Sequence, residues 1–266
     1  MTLGDRNIIV DSANFRDLGG LNTTDGQVTH YGRLFRSGHL HELTTGETAR
    51  VAALSLSTIV DLRRHTEVAL RPTPTFGSER NANIPPSPES DEFAEAAAMA
   101  LDPARATHAA SLAIRYYREN VWSRLEFYAP VFHQAMDPDN HPLLFHCNAG
   151  KDRTGFVAAV LLGLLSVARE DIVSEYLLTN ELRSTWIAQH LVNYRRRIAE
   201  QRGVDTSEVS EADLATTQIV LVAKAAYIET SLDAVIERFG TWEAFRSDGL
   251  GINHAVFDRF RRSMLH

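Results

Sequence analysis

The sequence predicts an α/β fold in which a central, mostly parallel sheet is flanked by helices. Two short apolar runs, 58–62 and 143–145, each lead into polar residues, as strands of open α/β sheets do where they meet a ligand. The second run passes through a short polar loop into a longer apolar run, 156–165, which is typical of a buried helix. Beyond that helix the apolar spacing is helical almost to the end of the chain.

Short strands and a hairpin are predicted first, because residues 8–40 alternate brief apolar pieces with turn signals such as Asp25-Gly26. Thr44 and Glu47 have the spacing of a capping box, which predicts a helix running to about Ser55. The β-branched run 58–63 then predicts a second central strand, with its polar end near the loop that follows residue 145.

The middle of the chain, 72–135, is predicted to be an insertion that is largely helical. Prolines at 72, 74, 85, 86 and 88 are expected to break regular structure over 72–88. Apolar residues then recur at helical spacing over 104–136 and predict one or two amphipathic helices. Two interpretations stay open for 72–135, namely a lid over the site or a helical layer packed on the sheet.

After the central loop, helices are predicted over about 170–200, 211–227, 229–239 and 253–264. The polar stretch 201–213 is expected to be a surface loop. The length suits one domain, and residues 1–266 are therefore treated as a single unit.

Composition limits the classes of partner. The net charge of −7 argues against general binding to nucleic acids or anionic membranes, so attraction to phosphate must come from locally placed charge. The longest strongly apolar run, 156–168, is too short to cross a bilayer, and the amino terminus lacks a secretory signal. We therefore expect a soluble protein that is cytoplasmic, or exported without a cleavable signal; the sequence does not indicate its oligomeric state.

The loop between the central strand and the buried helix has the features of an anion-binding site. His146 and Cys147, the only cysteine, end the strand, and the helix begins near Thr154. Backbone N–H groups of residues 148–153 can surround one point, and the helix dipole aims its positive end there. A thiolate facing this point is stabilised by the same donors, so Cys147 is predicted to be a nucleophile. Residues 147–153 are called the anion-binding loop below.

The other residues of this stretch have roles that follow from their chemistry. Arg153 offers a planar fork of donors that matches two phosphate oxygens, in the ground state and in the transition state. Gly150 is expected to adopt a backbone angle forbidden to other residues, and Gly155 to let the helix lie close to the strand. Thr154 could donate its hydroxyl to the sulfur, and His146 is expected to orient the loop. Phosphate contacts are predicted for Asn148, Ala149, Gly150, Lys151 and Thr154.

The run 146–155, with the sequence HCNAGKDRTG, resembles the signature of cysteine-dependent phosphatases. Its Lys-Asp-Arg-Thr form is similar to that of bacterial and fungal tyrosine phosphatases that also act on phosphoserine, phosphothreonine and phosphoinositides. The strings at 14–20, 33–38, 61–63 and 249–252 are similar to other parts of the same family.

This resemblance implies a cysteine-phosphatase fold and a protein-tyrosine phosphatase that works through a phosphocysteine intermediate. The substrate would be a phosphorylated protein or a phosphoinositide, and the chemistry needs no metal or other cofactor. A phosphoinositide phosphatase as the main role is the alternative. Lys151, together with Arg63 or Arg64, could contact a second phosphate.

The general acid is the part of the family pattern that this sequence lacks. There is no Trp-Pro-Asp string, and residues 104–135 contain no aspartate. Asp152, inside the loop, and Asp61, at the end of a predicted strand, are the two candidates. An acid on the insertion, such as Asp91 or Asp102, is a third possibility.

Four other classes of site fit the sequence less well. A nucleotide-binding loop of the Walker type fails, because Phe145 and Asp152 stand where glycine and serine or threonine are required. A module that binds phosphorylated ligands without hydrolysis would not need Cys147, and a rhodanese-type enzyme would not need the string from Gly150 to Gly155. No metal site is predicted, because His39 and His41 are the closest histidine pair and no carboxylate cluster is expected beside them.

Overall fold

The computed structural model describes residues 7–86 and 92–266. A six-stranded sheet has the order β1-β2-β3-β6-β4-β5, in which β3, β6, β4 and β5 are parallel and β1 and β2 are antiparallel. The strands are β1 (Ile8–Val10), β2 (Phe15–Asp17), β3 (Leu34–Ser37), β4 (Thr58–Asp61), β5 (Arg80–Asn83) and β6 (Leu143–His146). The predicted α/β fold with a mostly parallel sheet is confirmed.

The described helices flank this sheet and also form the C-terminal part of the chain. They are α1 (Thr45–Ala52), α2 (His65–Leu70), α3 (Glu92–Ala98), α4 (Ala106–Trp122), α5 (Leu125–Ala135), α6 (Asp152–Leu164), α7 (Arg169–Leu182), α8 (Ser184–Arg202), α9 (Ala215–Leu221), α10 (Ala225–Phe239), α11 (Trp242–Ala244) and α12 (His254–Met264). Every residue of α6 from Thr154 onward is buried, as its unbroken apolar sequence predicts.

The register of the parallel strands brings three polar strand ends to one edge of the sheet. His146 at the end of β6 is paired with Ser37 on β3 and with Asp61 on β4. Because parallel strands share one carboxyl edge, the predicted position of 58–63 beside the loop is confirmed.

Helix α1 begins as its sequence predicts. The amide of Glu47 donates to the Thr44 hydroxyl (3.3 Å), and the Thr44 amide donates to the Glu47 carboxylate (2.8 Å). The helix ends at Ala52, before the predicted Ser55, which has a positive φ of 49°.

The insertion differs from its prediction in one element. The expectation of irregular structure throughout 72–88 is wrong, because β5 pairs with β4 along the edge of the sheet. The prolines flank β5 and do not enter it, and an edge strand needs only one hydrogen-bonded neighbour. Helices α4 and α5 bury their apolar faces in the main core, and α4 packs on α3, α9 and α10. This packing favours a helical layer over a lid for this part of the insertion.

The C-terminal helices break at positions that their spacing did not predict. The segment 170–200 is divided into α7 and α8 at Arg183, and the segment 211–227 is interrupted at Val222, which has an extended backbone. Within 201–213 most side chains are exposed as predicted, but Val209 is buried and anchors the loop. Within the described residues, no helix combines the length and apolar character needed to span a bilayer.

Candidate active site

The anion-binding loop leaves the end of β6 and enters α6, as the sequence predicts. Cys147 is buried at the first position after the strand, with 2% of its surface exposed. It opens onto a cavity of about 200 Å³, called the active-site cavity here. The lining residues are Cys147, Asn148, Ala149, Lys151, Asp152, Arg153, Thr179, Arg183, Trp186, Val220 and Leu221.

The carbonyl groups of the loop are held on the outside by donors from distant parts of the chain. The Ala149 carbonyl accepts from Asn14 Nδ2 (3.3 Å) and Arg183 (2.7 Å), and the Gly150 carbonyl accepts from Asn14 Nδ2 (3.0 Å) and Arg36 (2.7 Å). In a planar trans peptide the C=O and the next N–H point in opposite directions. Fixing these carbonyls outward therefore turns the following amides inward, which makes the cradle that an anion needs.

A buried ion cluster supports this arrangement from below. Glu175 on α7 accepts from Arg16 Nε (2.6 Å) and Arg36 Nη1 (2.5 Å), and all three side chains are almost fully buried. Arg16 also donates to the side chain of Asn14 (2.5 Å). Moving three charges out of water is costly, and the cost is offset only while their hydrogen bonds are kept. This requirement holds Asn14 and Arg36, which donate to the Gly150 carbonyl, in place.

Gly150 is required at its position for two independent reasons. Its φ of +68° confirms the predicted left-handed backbone. A Cβ atom there would lie 2.5 Å from the Gly38 amide nitrogen and 2.7 Å from the Ser37 carbonyl group. Gly155 was predicted to let the helix lie close to the strand. In the structure its nearest neighbour is α7, because a Cβ at Gly155 would lie 2.8 Å from the Tyr176 ring.

Arg153 is fixed by a carboxylate that the sequence did not reveal. Its Nη1 donates to Glu67 Oε2 (2.7 Å) and to the Leu62 carbonyl (3.1 Å), and its Nη2 donates to Glu67 Oε1 (3.1 Å). Burial alone would lower the pKa of Arg153, but the charges of Cys147 and Glu67 outweigh it and raise that pKa. The guanidinium stays charged, and its Nε edge remains for a substrate because Glu67 occupies the Nη1–Nη2 edge.

Asp152 is the carboxylate that lines the active-site cavity, and Tyr117 on α4 holds it. The Tyr117 hydroxyl donates to Asp152 Oδ1 (2.5 Å) and is 2.7 Å from the Tyr176 hydroxyl. Burial, and then the charge of Asp152, raise the pKa of Tyr117 well above its usual value, so the phenol stays protonated. Lys151 Nζ is 3.5 Å from the same Oδ1.

The structure gives Asp61 a different set of partners. Its carboxylate accepts from Arg63 Nη2 (2.7 Å) and from the Thr73 hydroxyl (2.7 Å), and it lies 3.6 Å from His146 Nε2. Burial would raise the pKa of Asp61, but the hydrogen bonds from Arg63 and Thr73 and the nearby His146 together outweigh it, and the net shift is downward. Asp61 does not line the active-site cavity, and this geometry favours a structural role. Asp102 caps a short 3₁₀ helix, and Asp91 lies outside the described residues.

Three other residues that were expected to contact a ligand or the sulfur have different partners in the structure. Lys151 is buried and donates to the Val220 carbonyl, so its ammonium faces the wall of the cavity. Arg63 is occupied by Asp61, as described above. The Thr154 hydroxyl donates to the Ser37 carbonyl (3.5 Å), a long hydrogen bond that directs it to β3.

His146 lies on the outer side of the loop, as expected of an orienting residue. Its Nδ1 is 3.2 Å from the Cys147 carbonyl, and its Nε2 is 3.2 Å from the Thr73 hydroxyl. Burial lowers the pKa of His146, so the ring is neutral at physiological pH.

Arg183 and Trp186 are site residues that the sequence analysis missed. The Arg183 guanidinium lies 3.9 Å from the centre of the Trp186 ring, and both side chains line the active-site cavity. Burial lowers the pKa of Arg183. In the sequence both residues lie near the middle of a long helical pattern. That pattern did not show that the helix breaks at Arg183.

The prediction that no carboxylate–histidine cluster accompanies His39 and His41 is wrong. Glu42 follows them directly, and its Oε1 lies 3.4 Å from His41 Nε2. Possible ligand atoms of the three side chains lie within 4.8 Å of one another.

A parallel sheet that carries a buried cysteine into a loop of inward-facing amides, closed by a fixed arginine, defines a cysteine enzyme that binds phosphate. The profile of the tyrosine phosphatase family matches residues 9–266, so the chain belongs to that family. The predicted cysteine-phosphatase fold and phosphatase activity are confirmed by this membership. The rhodanese and binding-only alternatives are set aside.

Individual proteins are similar to this chain over most of its length. The triple specificity protein phosphatase PtpB of Mycobacterium tuberculosis is 28% identical over 280 residues, covering 95% of this chain and 96% of that one. A Cupriavidus necator protein with the provisional name tyrosine-protein phosphatase H16_A0669 is 27% identical over 243 residues, covering 91% and 83%. The crystal structure of Pseudomonas aeruginosa TpbA, 15% identical, covers 81% of this chain and 98% of that one with a TM-score of 0.36.

Proposed function

We propose that the chain is a protein-tyrosine phosphatase that hydrolyses phosphomonoesters by two displacements at Cys147. The thiolate attacks phosphorus, the S–P bond forms, and the P–O bond to the leaving group breaks while that oxygen gains a proton. Water then attacks phosphorus and loses a proton, and the sulfur leaves as a thiolate. The observation that carries this proposal is that Cys147 and Arg153 border one cavity together with Asn148, Ala149, Lys151 and Asp152 of the same loop.

Asp152 is the best-placed group for both proton transfers. It lines the same cavity as Cys147, whereas the Asp61 carboxylate is occupied by Arg63 and Thr73. The described contacts of Asp152, from Tyr117 and Lys151, are both made to Oδ1, so Oδ2 is the oxygen that can exchange a proton with the leaving group. As the general acid of the first step Asp152 supplies a proton to the leaving oxygen, and as the base of the second step it takes one from water.

The walls of the cavity support a broad range of phosphomonoesters. Trp186 and Leu221 offer apolar surface for the ring of phosphotyrosine, and Arg183 adds a positive charge that suits a substrate with a further anionic group. The triple specificity named for the M. tuberculosis relative supports activity toward phosphotyrosine, phosphoserine or phosphothreonine, and phosphoinositides. A main role in phosphoinositide hydrolysis is the second candidate, and Arg183 is the residue that favours it.

The test compares hydrolysis of a phosphotyrosine peptide, a phosphoserine peptide and a short-chain phosphoinositide by the wild-type enzyme. We expect kcat/KM to be highest for the phosphotyrosine peptide, with measurable rates for the other two. The Cys147→Ser variant should be inactive toward all three, which excludes a contaminating phosphatase. If kcat/KM is highest for the phosphoinositide, the main role is phosphoinositide hydrolysis.

Asp152→Asn should lower kcat most for substrates with poor leaving groups. An amide cannot supply a proton, and general acid catalysis contributes about 10²–10⁴-fold. We expect about a 100-fold loss of kcat with phenyl phosphate and only a few-fold loss with p-nitrophenyl phosphate, whose leaving group needs less protonation. An equal loss of kcat with both substrates would contradict the assignment of Asp152 as the general acid. If Asp61→Asn showed the same dependence on the leaving group, Asp61 would be the general acid.

Tyr117→Phe should cause part of the loss of kcat seen in Asp152→Asn, because Tyr117 orients the Asp152 carboxylate. It removes the hydrogen bond to Asp152 Oδ1, which is worth roughly 1 kcal/mol, or about fivefold in rate. We expect kcat for phenyl phosphate to fall by about that factor while KM is unchanged. Tyr227→Phe is the matched control, because Tyr227 stacks on Tyr117 at 5.2 Å but donates to the Ile219 carbonyl. An equal fall in that control would indicate loss of packing.

A further inference from the structure

A second set of potential ligands lies next to the anion-binding loop, where the chain leaves β3. It consists of His39, His41 and Glu42, called the histidine cluster here. The Nε2 atom of His39 is 3.8 Å from Glu42 Oε2, and that of His41 is 3.4 Å from Oε1. The two imidazole rings lie 4.1 Å apart between centres, and the Nε2 atoms of both lie near the Glu42 carboxylate.

The geometry points to a site for a divalent transition-metal ion, of the Zn²⁺ or Co²⁺ type, on the histidine cluster. Two imidazoles and a carboxylate are a ligand set that such ions accept, with the fourth position open to water. Ligands about 2.1 Å from a tetrahedral ion lie roughly 3.4 Å from one another. The two nitrogen–oxygen separations, 3.4 and 3.8 Å to the two oxygens of Glu42, are near this value, and ligand atoms of all three side chains lie within 4.8 Å of one another. Glu42 is well exposed and can adjust without disturbing the core.

A positive group already occupies part of this position. Arg71 Nη1 lies 3.2 Å from His41 Nε2 and 3.8 Å from Glu42 Oε1. A guanidinium can only donate, so the tautomer of His41 that pairs with it carries its hydrogen on Nδ1 and a lone pair on Nε2. The same lone pair would bind a metal ion. Because the Arg71 side chain is 61% exposed, it can swing into solvent and leave the carboxylate and imidazole to the ion.

The cluster has the character of an exchangeable site. The Nδ1 atoms of His39 and His41 are buried and make no hydrogen bond to the described residues. Metal-binding histidines usually donate this second nitrogen to a carboxylate or carbonyl, and loss of that partner weakens affinity about 10–100-fold. We therefore expect a dissociation constant in the micromolar range, with Arg71 as a competitor.

The cluster is also connected to the anion-binding loop. The backbone amide of His39 donates to the Asn148 carbonyl (2.8 Å), one of the outward carbonyls of the loop. The histidine cluster and the residue after Cys147 therefore share a backbone hydrogen bond.

The test is a titration of the full-length, untagged Cys147→Ser protein with Co²⁺, followed by the visible absorption of the bound ion and by calorimetry. The Cys147→Ser background removes the thiol, which is itself a strong metal ligand. Because this background is inactive, the result does not depend on the proposed phosphatase reaction. We expect one Co²⁺ per chain, displaced by Zn²⁺.

Variants on the same background assign the ligands. His41→Ala and Glu42→Gln should each weaken Co²⁺ binding at least about tenfold. Arg71→Ala should strengthen it about threefold to tenfold by removing the competing cation. His254→Ala is the matched control, because His254 is an exposed histidine 3.3 Å from Asp258 on α12, and its loss should leave the affinity unchanged. Thermal unfolding of each variant checks that the fold is intact.

Absence of saturable binding would overturn the proposal. So would a Co²⁺ affinity in both His41→Ala and Glu42→Gln equal to that of the Cys147→Ser parent. A loss confined to His254→Ala would place the ion on α12 and would also overturn it.

Discussion

Replacing Cys147 with serine is expected to lower kcat for phosphotyrosine peptides by about 10⁵-fold or more. Removing the nucleophile of an enzyme that works through a covalent intermediate leaves only binding and electrostatic stabilisation. A serine hydroxyl is almost wholly protonated at neutral pH, so it is a far weaker nucleophile than a thiolate. The measurement is a steady-state assay with enough enzyme to detect residual turnover.

Binding of an oxyanion provides the control for Cys147→Ser. The outward carbonyls of Ala149 and Gly150 are held by Asn14, Arg36 and Arg183, none of which touches the sulfur through a described hydrogen bond. The cradle should therefore survive, and tungstate should protect the variant against thermal unfolding. Turnover within tenfold of the wild type would contradict the phosphocysteine route, even if tungstate still bound.

The anion-binding loop could be predicted because its determinants are consecutive. The strand end, Cys147, the left-handed Gly150, Arg153 and the start of α6 all lie in one run, and local chemistry fixes their relation. The central strand β4 was found for the same reason, since its β-branched run is a local signal.

Residues that hold the loop could not be assigned from local patterns. Glu67 is 86 positions from Arg153, and Tyr117 is 35 positions from Asp152. Tyr117 lies on a helix whose apolar spacing predicts packing but not which polar side chain meets the loop. Glu67 lies on α2, a short helix without buried residues that was not among the predicted helices. Asn14 and Arg36 lay in strings that resembled the family, yet their role as donors to loop carbonyls appeared only with the sheet in place.

Asp61 shows why proximity to the site was not enough to identify the acid. The sheet register does bring it beside His146, as the sequence predicted. However, Arg63, two positions along the chain, and Thr73 both bind the carboxylate. A buried carboxylate with an arginine within reach forms that pair because an unpaired charge is costly to bury.

Arg153→Lys is expected to lower kcat/KM by about 10³–10⁴-fold although the charge is kept. An arginine that stabilises a phosphoryl transition state contributes about 10³–10⁵-fold. The wild-type guanidinium meets Glu67 through Nη1 and Nη2 and keeps its Nε edge for two phosphate oxygens. A lysine ammonium has no second planar edge, so it can pair with Glu67 or with the substrate but cannot reproduce both arrangements.

The double variant Arg153→Lys/Glu67→Gln separates geometry from competition for charge. If Glu67 merely captured the ammonium of Arg153→Lys, removing its charge would restore activity toward the wild-type value. We expect less than a tenfold recovery, because the two-point contact with phosphate is still missing. Arg196→Lys is the matched control, since Arg196 is an exposed arginine 3.8 Å from Glu200 on α8 and should tolerate the change. Near-complete recovery in the double variant would show that the charge at residue 153, and not its planar fork, supports catalysis.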